Sequence, residues 1–350
     1  MRVLYIFSGD RRRRFQGVPG RDFPDTQFYG MNHLGEIGVP AEYKEFEDYP
    51  LGRYIARIIG FRAKHSLMYF VARHYDVVFG ISVIYMLIWK KLFPTKTKFV
   101  IFNSVFTRMM NTYGPRSIKF KLLTWILKEV DGIVFLAHVD MEKVASRIPS
   151  IAHKLYFVAM GSDAAYYQPK FENRKRFFLS VGRDNARDYK TLVEVAKRLP
   201  HEEFHFVCLP RNIEGLHIPD NVRVHINIPR KEMEELYDQA KALLLITHHD
   251  SYTQGSDSSG PTVLLEAMAK GLPVIASRKG YMSDYVQDSE DALLVDFYDV
   301  DAIVGHIRTL SNEKMALQIA KSARSKIDTI FNTREMANGL ARVFETIYEQ

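Results

Sequence analysis

Short apolar runs alternate with longer amphipathic segments through the first half of the chain. Each run is bounded by turn-forming or charged residues, the pattern of buried parallel strands. The predicted strands are Val3–Phe7, Val77–Phe79, Lys98–Phe102 and Gly132–Leu136. The predicted helices are Thr26–Leu34 and Ile118–Glu129.

The second half repeats this alternation after a polar, Pro-containing stretch at Gly161–Asn173. The predicted strands are Phe177–Val181, Phe204–Cys208, Val222–Ile226, Ala242–Ile246 and Pro273–Ser277. The predicted helices are Tyr189–Leu199, Lys231–Ala240 and Pro261–Lys270. Strands alternating with helices predict an α/β fold with parallel sheets joined by right-handed crossovers. We expect two Rossmann-like domains facing one another across a cleft, with ligands at the carboxyl ends of the strands.

Length and composition agree with two soluble domains. The chain has 350 residues, 47% of them apolar and 25% charged, and domains commonly hold about 100–200 residues. The single cysteine, Cys208, excludes an intramolecular disulfide and a cysteine-cluster metal site and favours a reducing cytoplasm. The N-terminal apolar run predicts a strand instead of a signal peptide. The longest apolar stretch, Val77–Trp89, is too short to span a bilayer.

Positive charge is concentrated in residues 51–128, which hold 14 basic residues and one acidic residue, Asp76. Aromatic residues are interleaved with these cations, a combination that indicates an anionic partner. Phospholipid headgroups and nucleic acid both fit this composition, as does a solvated basic face over ordinary core aromatics. No known nucleic-acid-binding motif is visible, so we expect an anionic membrane surface as the partner and no nucleic acid.

The segment from Gly260 to Ser277 carries the clearest chemical signal. A glycine-containing loop opens a helix at Pro261 and Thr262, and the free N–H groups of a helix N-terminus favour phosphate or sugar hydroxyls. Glu266 follows about one and a half turns later between apolar residues, which predicts a buried carboxylate. Such a carboxylate needs hydrogen-bond partners, and a bound ligand can supply them.

Residues 265–276 resemble the "EAMAxGxPVIA" segment of glycosyltransferase family 4, retaining enzymes of the GT-B fold that use nucleotide-sugar donors. The resemblance implies that Glu266 binds the ribose of the donor. The family's first glutamate falls at Ser258, with Asp257 next to it as a substitute after a one-residue shift. Ser259, Gly260 and Pro261 replace the usual Gly-Phe-Gly. We expect the loop from Asp257 to Thr262 to bind the donor.

Residues 181–192 are similar to the family's "VGRLxxxKGxxxL" segment, in which an Arg and a Lys neutralise the donor diphosphate. Gly182 and Arg183 match, whereas Asp188 occupies the place of the Lys. Arg187 or Lys190 must then replace it. Fixed cations lower the barrier to departure of a diphosphate because negative charge develops on it. The resemblance implies catalytic roles for Arg183 and Arg187 and donor binding by Gly182 and Lys190.

The loop after the first strand is expected to contact phosphate or acceptor through Gly17, Gly20 and Arg21. The four preceding arginines, 11–14, are interpreted either as a grip on an anionic acceptor or as a solvated loop. No catalytic histidine is assigned. The His248-His249-Asp250 sequence has no second cluster to support a metal, and the family implies neither a metal nor a cofactor besides the nucleotide-sugar co-substrate.

The predicted protein is a retaining, hexosyltransferase-type glycosyltransferase that moves a sugar from a nucleotide-diphosphate donor to a glycan or lipid-linked acceptor. Its alternative is a non-catalytic GT-B subunit that only binds nucleotide sugar. Residues 1–162 with 333–350 are expected to form the acceptor-binding domain and residues 163–332 the donor-binding domain, with the last helix, Arg334–Tyr348, crossing back to the first. The expected location is the cytoplasm or the inner face of the cell membrane.

Overall fold

The computed structural model describes residues 1–7, 9, 11–48, 58–103, 113–114, 116–171, 176–252, 254–256 and 260–350. The chain divides into two compact units. The first comprises Met1–Ala159 with Thr333–Gln350, and the second comprises Met160–Asn332.

The first boundary between the units lies before Met160, whereas the sequence-based boundary follows residue 162. Two hydrogen bonds place the intervening residues in the second unit. The Met160 amide donates to the Tyr285 hydroxyl at 3.0 Å, and the Ser162 amide donates to the Phe331 carbonyl at 2.8 Å. Backbone groups at the boundary therefore find their partners in the second unit.

The first unit is built on a six-stranded parallel sheet in the order β2-β1-β3-β4-β5-β6. Its strands are β1 Val3–Tyr5, β2 Ala41–Tyr43, β3 Val77–Gly80, β4 Lys98–Phe102, β5 Gly132–Phe135 and β6 Leu155–Phe157. The α-helices up to β6 are α1 Arg12–Gly17, α2 Met31–Leu34, α3 Phe61–Leu67, α4 Tyr69–Ala72, α5 Leu87–Leu92, α6 Ile118–Leu127 and α7 His138–Arg147. Short 3-10 helices lie at Asp25–Phe28, Gly35–Ile37, Phe46–Asp48, Ile81–Met86 and Pro149–Lys154.

Both faces of this sheet are covered, which explains the continuous apolar runs of its strands. Successive side chains of β3 point to opposite faces. Val78 packs into the core on one face, with Leu4 and Ile101. Val77 and Phe79 pack into the core on the other.

The second unit contains another six-stranded parallel sheet, in the order β12-β11-β10-β7-β8-β9. Its strands are β7 Phe177–Val181, β8 Phe204–Cys208, β9 Val222–Ile226, β10 Ala240–Leu245, β11 Val274–Ser277 and β12 Leu293–Val295. Its α-helices are α8 Tyr189–Arg198, α9 Arg230–Gln239, α10 Pro261–Ala269, α11 Val300–Thr309 and α12 Glu313–Thr329. Short 3-10 helices lie at Pro210–Asn212 and Met282–Asp284. Two parallel α/β units confirm the predicted Rossmann-like architecture.

The last helix, α13 (Thr333–Glu349), belongs to the first unit, as the sequence predicts. Its apolar face joins the core beneath β1 and β3, where the Phe344 and Phe79 rings lie 5.3 Å apart. At its start the Thr333 hydroxyl donates to Asp25 at 3.1 Å, and the same carboxylate lies 2.9 Å from the His33 ring. The helix is therefore held by both packing and hydrogen bonds.

The structure differs from the predicted elements at a few places. The single helix predicted for Thr26–Leu34 is wrong, because Tyr29 adopts a left-handed conformation (φ 51°) and separates a 3-10 turn from α2. Three strands were not predicted, namely β2, β6 and β12. Each has three residues, as does the predicted β1, so their length alone does not account for the omission.

Among the described residues, no helix is both long enough and apolar enough to cross a membrane. The same part of the chain contains no group of three or more His, Cys, Asp or Glu side chains placed to hold a metal ion.

Candidate active site

The second sheet has a topological switch point between β7 and β10. From β7 the chain adds β8 and β9 on one side, and it then adds β10, β11 and β12 on the other. Crossover helices diverge at such a point, which leaves a crevice at the carboxyl ends of the two central strands. Gly182 follows β7 there, and Thr247 follows β10.

Arg187 occupies this switch point with its side chain only 5% exposed. It pairs with Thr247 through an antiparallel backbone bridge. Its Nε and Nη1 atoms are buried and have no hydrogen-bond partner among the residues that the structure describes. Buried guanidinium nitrogens that lack acceptors are costly, so an anion would complete this environment.

Gly182 makes room for Arg187. A Cβ at residue 182 would lie 2.7 Å from Cγ of Arg187 and 2.8 Å from its Cδ. The Gly182 amide donates to the Val207 carbonyl at 3.0 Å, and the Tyr189 hydroxyl donates to the Gly182 carbonyl at 2.9 Å. The glycine is therefore fixed by hydrogen bonds directly beneath the arginine.

Two more buried polar atoms in this region, the Tyr237 hydroxyl and Thr247 Oγ1, have no hydrogen-bond partner in the described ranges of the chain. Burial raises the pKa of Tyr237 well above its ordinary value, and the nearby charge of Glu266 raises this pKa further while those of Arg187 and Arg230 lower it. The pKa of Tyr237 is therefore affected both by Glu266, the predicted ribose-binding carboxylate, and by Arg187, the predicted phosphate-binding arginine. These unsatisfied groups suit a ligand that offers several oxygens.

Two backbone hydrogen bonds fix the loop that carries Arg187. The His248 amide donates to the Ala186 carbonyl at 2.8 Å, and the Asp188 amide donates to the Ile246 carbonyl at 3.0 Å. The loop is thus held against the residues that follow β10.

Asp184 ties the same loop to residues 254–256. Its carboxylate accepts from the Ala186 amide at 2.8 Å and from the Ser256 amide at 3.1 Å. These hydrogen bonds help to hold the pKa of Asp184 below its ordinary value although burial opposes them. The ionised carboxylate therefore fixes the polar loop after β10.

Asp188, which stands where the family has Lys, begins helix α8. Its carboxylate caps the helix by accepting from the Thr191 amide at 3.0 Å. Of the two candidates for the missing cation, Lys190 is exposed on α8, whereas Arg187 is buried at the switch point. Position therefore favours Arg187. Arg183 directly follows Gly182 and has an exposed side chain.

Glu266 lies in the second turn of α10 and is half-buried. Burial raises its pKa, which the hydrogen bond from Tyr167 and the charge of Arg230 partly offset. The Tyr167 hydroxyl donates to Glu266 Oε1 at 2.7 Å and accepts from Arg230 Nη2 at 2.6 Å. The carboxylate predicted to need a ligand thus already has one protein donor, which orients it.

The N-terminus of α10 starts from Gly260, whose φ is 126° and which provides no side-chain cap. A Cβ at Gly260 would also lie 2.6 Å from the Tyr281 hydroxyl. Pro261 is the first helical residue, and Thr262 Oγ1 lies 3.6 Å from the Met160 sulfur. The uncapped amides of this turn remain suited to ligand oxygens. The other predicted donor residues, Asp257, Ser258 and Ser259, lie outside the described residues.

Several side chains around this region had no predicted role. Tyr237, Thr247, Tyr167 and Arg230 are described above, and Lys279 lies just after β11. Lys279 is buried, and its Nζ is 3.5 Å from Asp250. A lysine two residues after the predicted strand Pro273–Ser277 was the available signal for Lys279. Nothing in the sequence links Tyr167 to Glu266.

The remaining predicted residues lie in the first unit. Gly17 is the last residue of α1 and is buried near Phe23, whereas Gly20 and Arg21 are exposed. Of the preceding arginines, Arg13 and Arg14 are exposed. Arg12–Arg14 begin α1, and Arg12 pairs with Asp48 at 2.9 Å and with Glu45 at 3.2 Å. At least one of the four arginines is therefore neutralised within the protein.

Residues 166–326 match the family model described as "Glycosyl transferases group 1". The matched residues lie within the second unit, Met160–Asn332. The match includes Arg187 and Glu266 but neither Gly17 nor Gly20.

Curated relatives are similar over different lengths. The amylovoran biosynthesis glycosyltransferase AmsK of Erwinia amylovora is 29% identical over 122 residues, 34% of this chain and 29% of that protein. The sulfoquinovosyl transferase SQD2 of Arabidopsis thaliana is 23% identical over 350 aligned residues, 89% of this chain and 62% of that protein. The chain thus spans less than two thirds of the length of these relatives.

Solved structures share the whole fold. The sucrose-phosphate synthase of Thermosynechococcus elongatus has a TM-score of 0.73 at 17% identity, covering 99% of both chains. Anabaena HepE, solved in complex with UDP and glucose, has a TM-score of 0.68 at 13% identity, covering 99% of this chain and all of HepE. The fold is therefore that of GT-B glycosyltransferases.

Proposed function

We propose that the protein is a retaining glycosyltransferase that moves a sugar from a nucleotide-diphosphate donor to a glycan or lipid-linked acceptor at a membrane surface. The observation that carries the proposal is the buried Arg187 at the switch point, whose Nε and Nη1 find no acceptor within the described part of the chain. A nucleoside diphosphate supplies the charge and the oxygens that this side chain lacks.

The donor is proposed to lie along the carboxyl ends of β7 and β10. Arg187 binds the diphosphate, and the Tyr237 hydroxyl and Thr247 Oγ1 complete its hydrogen bonding. Glu266, oriented by Tyr167, accepts hydrogen bonds from the ribose hydroxyls. The amides at the start of α10 face the sugar or its phosphate, together with the predicted residues Asp257, Ser258 and Ser259 of the preceding loop.

Catalysis in this proposal depends on stabilising the departing diphosphate. Negative charge grows on its bridging oxygen as the bond to the sugar breaks, and a guanidinium already in place requires little reorganisation at that moment. Arg187 and the exposed Arg183 supply that charge, and the exposed Lys190 is proposed to add to donor binding. In a front-face retaining reaction the leaving phosphate accepts the proton of the acceptor hydroxyl, so the proposal needs neither a protein base nor a metal.

The first unit is proposed to bind the acceptor through Gly17, Gly20 and Arg21. The similarity to AmsK, named as an amylovoran biosynthesis glycosyltransferase, and to SQD2, named as a sulfoquinovosyl transferase, supports sugar transfer as the reaction. The acceptor is proposed to be a glycan or lipid-linked. The protein would then work in the cytoplasm at the inner face of the membrane.

The alternative is a nucleotide-sugar-binding subunit without transfer activity. It takes its motivation from Ser258, which stands where the family has its first glutamate. Both functions require donor binding, and only the first requires turnover.

Calorimetric titration with UDP, GDP and ADP, followed by hydrolysis and transfer assays with the matching sugar nucleotide, separates these possibilities. We expect one diphosphate to bind and Arg187→Ala to weaken that binding at least about tenfold, the loss of about 1.4 kcal/mol. Arg198→Ala, an exposed arginine paired with Asp301, is the matched control. Absence of binding by all three nucleotides would refute the proposal, and binding without turnover would favour the subunit.

A further inference from the structure

Helix α6 is apolar on two opposite faces. One face is buried, through Phe120, Leu123 and Leu127. On the other, Ile118 is 83% exposed, Leu122 53% and Trp125 42%. These three residues follow the spacing of four and three that places side chains on one stripe of a helix. An apolar stripe on the water-facing side of a helix marks an interaction surface.

The neighbouring helix α5 and its flanks also expose apolar side chains. The Lys91 ammonium of α5 lies 4.8 Å from the Trp125 ring centroid. Just beyond it, Leu92 is 60% exposed, and the exposed Phe93 ring packs 6.0 Å from Trp89. Phe70 is also exposed and lies 5.3 Å from Trp89. We name the set Phe70, Leu92, Phe93, Ile118, Leu122 and Trp125 the α6 face.

Cations surround this apolar surface. Lys119 and Lys121 are exposed on α6, and Lys128 follows its end. From residue 58 to residue 128 the sequence contains one acidic residue, Asp76. Glu129, just beyond, is paired with Lys91. The α6 face therefore combines exposed apolar side chains with a surplus of positive charge.

We infer that the α6 face inserts into the headgroup region of a bilayer that contains anionic phospholipid. Leucine, isoleucine and aromatic side chains would enter the boundary of the acyl chains, while the lysines remain at the depth of the phosphates. Nucleic acid offers the negative charge but no apolar phase for Ile118 and Leu122. This inference deepens, and rests on, the membrane location in the proposed function, and its test needs neither donor nor acceptor.

The test is co-sedimentation of the full chain with vesicles of phosphatidylcholine alone or with added phosphatidylglycerol. We expect sedimentation only with the anionic vesicles and its loss at high salt. Leu122→Asp should reduce binding by about tenfold or more, because an inserted leucine becomes a charge. Ile330→Asp changes an equally exposed apolar residue of the second unit and should bind as the wild type does.

Fluorescence supplies a second readout. In a Trp89→Phe variant only Trp125 emits, since the chain has two tryptophans, and its emission should shift to the blue on anionic vesicles. Equal binding to both vesicle types, an unshifted Trp125 or unchanged binding by Leu122→Asp would each overturn the inference. Single-stranded DNA that competes with the vesicles and binds Leu122→Asp normally would favour nucleic acid instead. Nucleotide titration of Leu122→Asp should match the wild type, so failure here is distinguishable from failure of the proposed function.

Discussion

The side chain of Arg187 fills the space in which a Cβ at residue 182 would lie, 2.7 Å from the arginine Cγ. Gly182 thus permits a cation to cover the end of β7. Gly182→Ala should displace Arg187, destabilise the protein by about 1–3 kcal/mol and weaken diphosphate binding about tenfold. Thermal denaturation and calorimetry measure both effects.

Gly305→Ala provides the control for that substitution. Gly305 lies inside helix α11 with no atom within 4 Å of an added Cβ. Alanine there should stabilise the protein by about 0.5–1 kcal/mol, because it reduces the freedom of the unfolded chain. If Gly182→Ala behaved like Gly305→Ala, the close approach of Arg187 would be contradicted.

Arg187→Met should raise the stability of the ligand-free protein while abolishing diphosphate binding. The substitution removes a buried charge that has two unpartnered nitrogens and keeps much of the side-chain volume. We expect a gain of about 1 kcal/mol in the free energy of unfolding, measured in urea. Arg198→Met, at an exposed position, should change neither quantity. A large loss of stability would mean that Arg187 is paired within the fold.

Tyr167→Phe removes a hydrogen bond from the carboxylate of Glu266. That bond lowers the pKa of Glu266, which burial raises. Without it the pKa rises further, so the carboxylate becomes protonated at a higher pH and donor binding is lost earlier on acidification. The free energy of unfolding should fall by about 1 kcal/mol.

Tyr166→Phe is the matched control for Tyr167→Phe. The Tyr166 hydroxyl donates to Glu234 at 2.6 Å and not to Glu266. Its loss should leave the pH dependence of nucleotide binding unchanged. Identical binding profiles for the two variants, followed calorimetrically across acidic pH, would exclude a specific role for Tyr167.

His33 should make the first unit less stable as pH rises. Its pKa is raised above 6.5, chiefly by the hydrogen bond with Asp25. The folded protein therefore holds this proton more tightly than the unfolded chain. The stabilisation, of the order of 1 kcal/mol, is complete below about pH 6.5 and disappears as pH rises through the folded-state pKa.

His33→Gln should flatten that dependence in urea unfolding curves recorded at several pH values. His74→Gln, which changes an exposed histidine of the same unit, should preserve it. Parallel curves for the wild type and His33→Gln would show that the imidazole contributes nothing to the attachment of α13.

The sequence was most informative where apolar runs were long. Strand β8, Phe204–Cys208, and the start of α10 at Pro261 agree with prediction to the residue, because buried strands and a proline at the first helical turn leave strong local signals. The short apolar run Ala292–Val295, which contains β12, was not predicted as a strand. The left-handed conformation of Tyr29 interrupts the helical backbone at a point where the apolar periodicity alone predicts that the helix continues.

Prediction of the candidate site was limited by burial and by distance along the chain. Arg187 and Lys190 were equivalent in sequence, and only folding makes one buried and the other exposed. The bond between Tyr167 and Glu266 joins residues 99 positions apart. The sequence around Tyr167 and the sequence around Glu266 give no indication of this contact. The sequence motifs identified Arg187 and Glu266, but they did not identify the groups that orient them, such as Tyr167.

The position of α13 at the end of the chain also affects when the first unit can fold. All residues of the second unit leave the ribosome before Thr333–Glu349, whose Leu340 and Phe344 complete the core around Val3 and Tyr5. The first unit therefore cannot complete its hydrophobic core until α13 has been synthesised, which happens after the whole second unit has been made.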